Sequence, residues 1–139
     1  MMKSLLVATL LVAAAFASDA PENPIEGVTD LTVDNWASTV GEGSKAYIIE
    51  FYAPWCGWCK RLVPEWTKLG AAVGNHADVA VGKFDATQAN GNEVASKYGV
   101  QGFPTIILVA KDGTHHEFQG QRQSKDFLSF ITDKTGASF

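Results

Sequence analysis

Cys56 and Cys59 are the only two cysteines in this chain of 139 residues. They follow an apolar, strand-like run, Ala46-Tyr47-Ile48-Ile49-Glu50-Phe51-Tyr52, and precede a long helix-like pattern. A C-x-x-C at a strand–helix junction puts its first cysteine at a helix N-terminus. There, unsatisfied N–H groups and the helix dipole stabilise negative charge, which favours the thiolate nucleophile. The second cysteine lies one turn on, close enough to form a disulfide with the first and expel whatever the first has captured. The pattern implies thiol–disulfide exchange. Two blander readings are weaker. A structural disulfide around so small a loop constrains the unfolded chain little. A structural zinc site takes four Cys or His ligands, and His76, His115 and His116 supply no second pair at a suitable spacing. No metal is expected.

The N-terminal residues look like an address rather than part of a fold. Lys3 is a minimal positive region, Leu5 to Phe16 is apolar apart from Thr9, and Ala15-Phe16-Ala17 is a small-x-small cleavage site. Residues 1–17 therefore read as a secretory signal peptide. The apolar run is short for a bilayer span and no later stretch is long enough, so stable membrane insertion is not expected. The remaining 122 residues suffice for one domain with its own core. Loss of Lys3 leaves ten basic and fifteen acidic residues, a net charge of −5. That balance gives no reason to expect nucleic acid as a partner. Small domains in an oxidising compartment often carry several structural disulfides. This one has no cysteine beyond the pair, so its cysteines are free for chemistry.

Residues 18–27 contain Pro and Glu and read as a loose lead-in. Val28 to Thr32 is a short strand and Val33 to Val40 a short helix with Trp36 facing inward. Gly41-Glu42-Gly43-Ser44 is a turn. Lys45 to Tyr52 is nearly continuous in apolar residues, which suggests a strand buried on both faces. From Cys56 to Val73, residues Cys59, Leu62, Val63, Trp66, Leu69 and Val73 recur at helical steps, and Pro64 predicts a kink near Lys60–Arg61. Asp78 to Asp85 is a strand. Asn90 with Glu93 suggests a capping box variant opening a helix to Tyr98. Thr105 to Ala110 and His115 to Gln119 form a hairpin around Lys111-Asp112-Gly113-Thr114. Ser124 is the expected cap of a last helix with Phe127, Leu128, Phe130 and Ile131 inward. The order is β-α-β-α-β-α-β-β-α, an α/β class.

The stretch Phe51-Tyr52-Ala53-Pro54-Trp55-Cys56-Gly57-x-Cys59-Lys60 resembles the active-site signature of the protein disulfide isomerase family. Pro64-Glu65-Trp66, Lys83-Phe84-Asp85-Ala86-Thr87, Tyr98-Gly99-Val100, Gly102-Phe103-Pro104-Thr105 and Phe118-x-Gly120-x-Arg122 are similar to further motifs of that family. The resemblance covers residues 28–136 and leaves 137–139 as a tail. It implies a single a-type thioredoxin fold, a central mixed β-sheet flanked by helices, and a protein-disulfide oxidoreductase. No dissociable cofactor is implied, since the Cys56–Cys59 disulfide carries the electrons.

The resemblance also implies roles. Cys56 is the nucleophile and Cys59 resolves the mixed disulfide. Glu50 matches a buried acid that takes and returns the Cys59 proton, and Lys83 matches the buried lysine that pairs with it. On physical grounds alone, a carboxylate in an apolar strand needs a partner or must point outward. Phe103-Pro104 matches a cis peptide whose neighbouring backbone pairs with an extended substrate segment. Arg122 matches an arginine that approaches the second cysteine. Trp55, Gly57, Trp58, Phe103 and Pro104 are the expected substrate-binding residues.

One position departs from the pattern. The family's signature has histidine where this chain has Trp58, which brings apolar surface and an N–H donor but no positive charge. The expected consequence is a less stabilised Cys56 thiolate and a less oxidising disulfide. The expected partners are cysteine-containing client proteins and glutathione or another thiol redox partner, acting with a monomer. The endoplasmic reticulum lumen is the expected residence, with secretion as the alternative because no Lys-Asp-Glu-Leu type ending is present. The competing functions are a peptide-binding holdase or adaptor with an incidental C-x-x-C, and a redox module within a larger assembly.

Overall fold

A computed structural model describes residues 23–139; the expected signal peptide and the first half of the expected lead-in, residues 18–22, lie outside them. The elements follow the anticipated order: β1 (Val28–Leu31), α1 (Val33–Thr39), β2 (Ala46–Tyr52), α2 (Gly57–Val73), β3 (Val79–Asp85), α3 (Gly91–Lys97), β4 (Thr105–Val109), β5 (His115–Glu117) and α4 (Ser124–Thr135). The five strands form one sheet in the order β1-β3-β2-β4-β5. β3 is parallel to both β1 and β2, whereas β4 is antiparallel to β2 and to β5. This is a thioredoxin fold with a mixed central sheet.

Because side chains alternate across a strand, the two faces of the sheet build separate cores. On one face Ile48, Val81, Ile106 and Leu108 pack under Trp66 and Leu69 of α2 and Phe127 and Ile131 of α4. On the other, Ile49, Phe51, Phe84, Ile107 and Val109 meet Trp36 of α1 and Val94 and Ala95 of α3. β2 lies in the middle of the sheet, which accounts for its unbroken apolar run. α2 continues without a break through Pro64.

Three local expectations are corrected. The end of the lead-in is not loose: Ile25 is buried in the core, and the Asn23 carbonyl accepts from Lys83 Nζ at 3.0 Å. Gly27 sits at φ +82°, and a Cβ there would stand 2.7 Å from the Gly70 carbonyl oxygen of α2. No capping box forms at Asn90. Its backbone is left-handed at φ 62°, and its side chain makes no cap bond, because the tight turn from β3 uses a conformation that Asn tolerates. Ser124 is the first residue of α4 rather than its cap; Gln123 occupies that position. The helix start is instead satisfied from α2, where the Glu65 carboxylate accepts the Ser124 N–H at 2.8 Å.

Candidate active site

Cys56 is the N-cap of α2, and its sulfur accepts the Cys59 backbone N–H at 3.2 Å. The thiol thus takes the place that a Ser or Asp oxygen fills at other helix starts, and charge on it would face the positive end of a helix with no acidic residue in its first turn. Cys56 is 6% exposed and Cys59 0%, so both are buried and only the first keeps any contact with solvent. Both are free thiols. Tyr52, Ala53 and Phe103 close around the pair.

Burial pushes the Cys59 thiol well above its ordinary value; its hydrogen bond with Cys56 and the charge of Glu50 push the same way, against a backbone hydrogen bond to Ala53. Glu50 is therefore within electrostatic reach of the second sulfur. It is fully buried on β2. Alternation puts Glu50 on the Ile48 face, beneath α2. Lys83 is opposite it on β3, and Asp30 on β1 is opposite Lys83. Lys83 Nζ is 3.4 Å from Asp30 Oδ1, and its side chain is sealed from solvent while half-buried Asp30 is not. A row of charge runs across the sheet from beneath the cysteines to its edge. The outward orientation considered for Glu50 does not occur.

The cis peptide expected at Phe103-Pro104 is present, and Phe103 packs against the cysteine cluster. Trp55 meets the Phe103 ring edge-on, with centroids 6.1 Å apart. Trp55 and Trp58 are exposed, as is Gly57. The Arg122 guanidinium donates to the Pro104 carbonyl oxygen at 3.4 Å.

The contacts of three residues were not foreseen from the sequence. Arg61 lays its guanidinium over the Trp58 ring, 4.7 Å from the centroid; the three-residue spacing on a helix was the available signal. Asp30 reaches Lys83 through strand register, and Glu65 starts α4. Neither had a local signal. A cleft of about 600 Å³ lined by Asp78, Lys111, Asp112 and His116 contains neither cysteine. Among the described residues, no cluster of His, Cys, Asp or Glu is placed to hold a metal, and no helix is long and apolar enough to cross a membrane.

Fold and site together define a thioredoxin-type dithiol protein. The thioredoxin family matches residues 27–133. Protein disulfide-isomerase 1 of Dictyostelium discoideum is 41% identical over 122 residues, which is 86% of this chain and 32% of that protein. Protein disulfide-isomerase of Drosophila melanogaster is 35% identical over 135 residues, 94% of this chain and 26% of that protein. Among solved structures, the first thioredoxin domain of mouse Protein disulfide-isomerase A4 superposes with a TM-score of 0.68 at 35% identity, covering 83% of this chain and 81% of that one. The chain belongs to the thioredoxin family, as a single thioredoxin-fold domain homologous to the protein disulfide isomerases. It spans only 32% and 26% of the length of the two curated relatives above.

Proposed function

We propose that the protein is a thiol–disulfide oxidoreductase that exchanges disulfides with cysteine-containing proteins of the secretory pathway. The observation that carries this reading is the asymmetry of the pair: Cys56 caps the helix N-terminus and keeps a little solvent contact, and Cys59 is fully enclosed within electrostatic reach of buried Glu50. In the reducing direction the Cys56 thiolate attacks one sulfur of a client disulfide. A Cys56–client S–S bond forms as the client S–S bond breaks, and one client thiolate leaves. Glu50 then takes the Cys59 proton, and the Cys59 sulfur attacks Cys56 Sγ. The second client thiolate departs, the client has gained two electrons, and the protein holds the Cys56–Cys59 disulfide. Client oxidation is the reverse, with Glu50 returning the proton to Cys59.

Lys83 holds the Glu50 side of this system in place from the neighbouring strand. Phe103 and Pro104 offer backbone next to Cys56 for an extended client segment, and Trp55, Gly57 and Trp58 flank it. Arg122 acts on that loop through the Pro104 carbonyl. The protein works as a monomer in the lumen of the endoplasmic reticulum. The leader-like residues 1–17 and the kinship with protein disulfide isomerases support that location; glutathione or another small thiol resets the pair.

Replacement of Cys59 tests the order of events. The wild-type protein turns over a disulfide peptide, Cys59→Ser accumulates a peptide-linked species cleaved by reductant, and Cys56→Ser does neither. Turnover by Cys56→Ser would overturn the reading. The exposed Trp55 and Trp58 favour a second one, a peptide-binding module. Under it, the doubly substituted Cys56→Ser, Cys59→Ser protein would keep its full biological effect.

A further inference from the structure

A groove of about 420 Å³ opens beside the cysteine pair, lined by Trp58, Arg61, Leu62, Gly120, Gln121 and Arg122. Its charges are of one sign. Both arginines are exposed, and among the described residues neither guanidinium has a carboxylate within ion-pair distance. That is unusual for this chain, in which fifteen acidic residues outnumber eleven basic ones. Both cations are also held in position. Arg61 lies over the Trp58 ring, 4.7 Å from its centroid, a cation–π contact that restrains the guanidinium beside the groove while its N–H groups can still serve a bidentate acceptor. Arg122 is anchored to the Pro104 carbonyl oxygen, so the groove joins the loop beside Cys56.

We propose that this groove is a specificity subsite for a carboxylate side chain, an Asp or Glu lying within a few residues of the cysteine that Cys56 attacks. The inference rests on the exchange reading above. A client segment passing along Phe103 and Pro104 brings its next residues over Trp58, where an acidic side chain meets Arg61 and Arg122 and its methylene groups cover the indole. A basic side chain would meet two like charges. Trp58, at a signature position, therefore serves as the platform for Arg61.

The test uses matched disulfide peptides that differ only in Glu or Lys beside the cysteine, together with fluorescent versions carrying Ser for Cys. At low salt the Glu peptide should exchange about ten-fold faster than the Lys peptide and bind more tightly by anisotropy, with the ratio shrinking to about two-fold at high salt. Arg61→Gln with Arg122→Gln should bring the ratio towards one, and Arg61→Glu should reverse it. Active exchange with no Glu preference would overturn the subsite and leave the exchange reading standing. Tighter binding of the Glu/Ser peptide without any exchange would uphold the subsite and sink the exchange reading. Equal binding of both Ser peptides would count against the subsite whatever the exchange result.

Discussion

The four tryptophans divide into two pairs with opposite fates. Trp36 and Trp66 are 9% and 0% exposed, while Trp55 and Trp58 are 71% and 63% exposed. Trp66 is fixed on every side: its ring packs edge-on against Phe127 with centroids 5.1 Å apart, and its indole N–H donates to the Gly82 carbonyl at 3.2 Å. Trp36 sits among Phe51, Phe84 and Tyr98. The exposed pair leaves large apolar faces in water next to Cys56, where folding gains nothing from them. Isolated surface apolar residues are ordinary, but two exposed indoles beside one cysteine pair are the kind of surface that suits a partner. The inner pair holds the fold, and under the exchange function proposed above the outer pair is the surface offered to the client.

The bluntest way to break that division is Trp66→Ala. Loss of a fully enclosed indole should cost about 4 kcal/mol in urea unfolding, whereas Trp58→Ala should stay within about 0.5 kcal/mol of the parent. Equal costs would erase the distinction. Next in size, Glu50→Gln should slow release of the mixed disulfide by about 100-fold, read by quenching exchange and resolving the linked species. An unchanged release rate would remove Glu50 from the proton step.

The raised Cys59 thiol predicts a pH dependence of stability. Above the ordinary thiol value of 9.0 the unfolded chain gives up this proton while the folded chain keeps it. The unfolded state then binds fewer protons, so the stability of the reduced protein falls as pH rises beyond about 9. Cys59→Ser should lack this additional slope, and urea midpoints between about pH 8 and 10.5 compare the two. Identical slopes would contradict it. The smallest effect concerns the outer pair: Trp58→His should raise the reduction potential by roughly 30 mV through a better stabilised Cys56 thiolate, with little change in stability. A fall in potential would show that Arg61 on Trp58 stabilises the thiolate better than histidine does.

The strand and helix order was legible because each element has a strong local period, and the hairpin because Asp112-Gly113 is a turn signal. The cysteine pair was legible from its spacing at a strand–helix junction, whereas the roles of Glu50 and Lys83 and the cis Phe103-Pro104 bond were reached only through resemblance to a family. Local pattern failed where tertiary structure overrides it. Asn90 has the composition of a cap but adopts the left-handed turn; Ser124 has the composition of a cap but is served by Glu65, which lies 59 residues earlier. The packing of Ile25 and the placement of Asp30 on Lys83 depend on the register of β1 beside β3 and on the close approach of Gly27 to Gly70. Arg61 carried no signal as a residue type, since it gains meaning only from the ring beneath it and the groove beside it.

The measurement that bears most directly on the whole account is the reduction potential of the Cys56–Cys59 pair, equilibrated in glutathione buffers and followed by tryptophan fluorescence. The account predicts a reversible two-electron couple between about −180 mV, the poise of a disulfide isomerase, and about −270 mV, that of a thioredoxin. Trp58 in place of histidine shifts the expected value towards the lower end. Absence of any reversible couple would contradict the exchange function and leave the exposed tryptophans as the surface of a peptide-binding module.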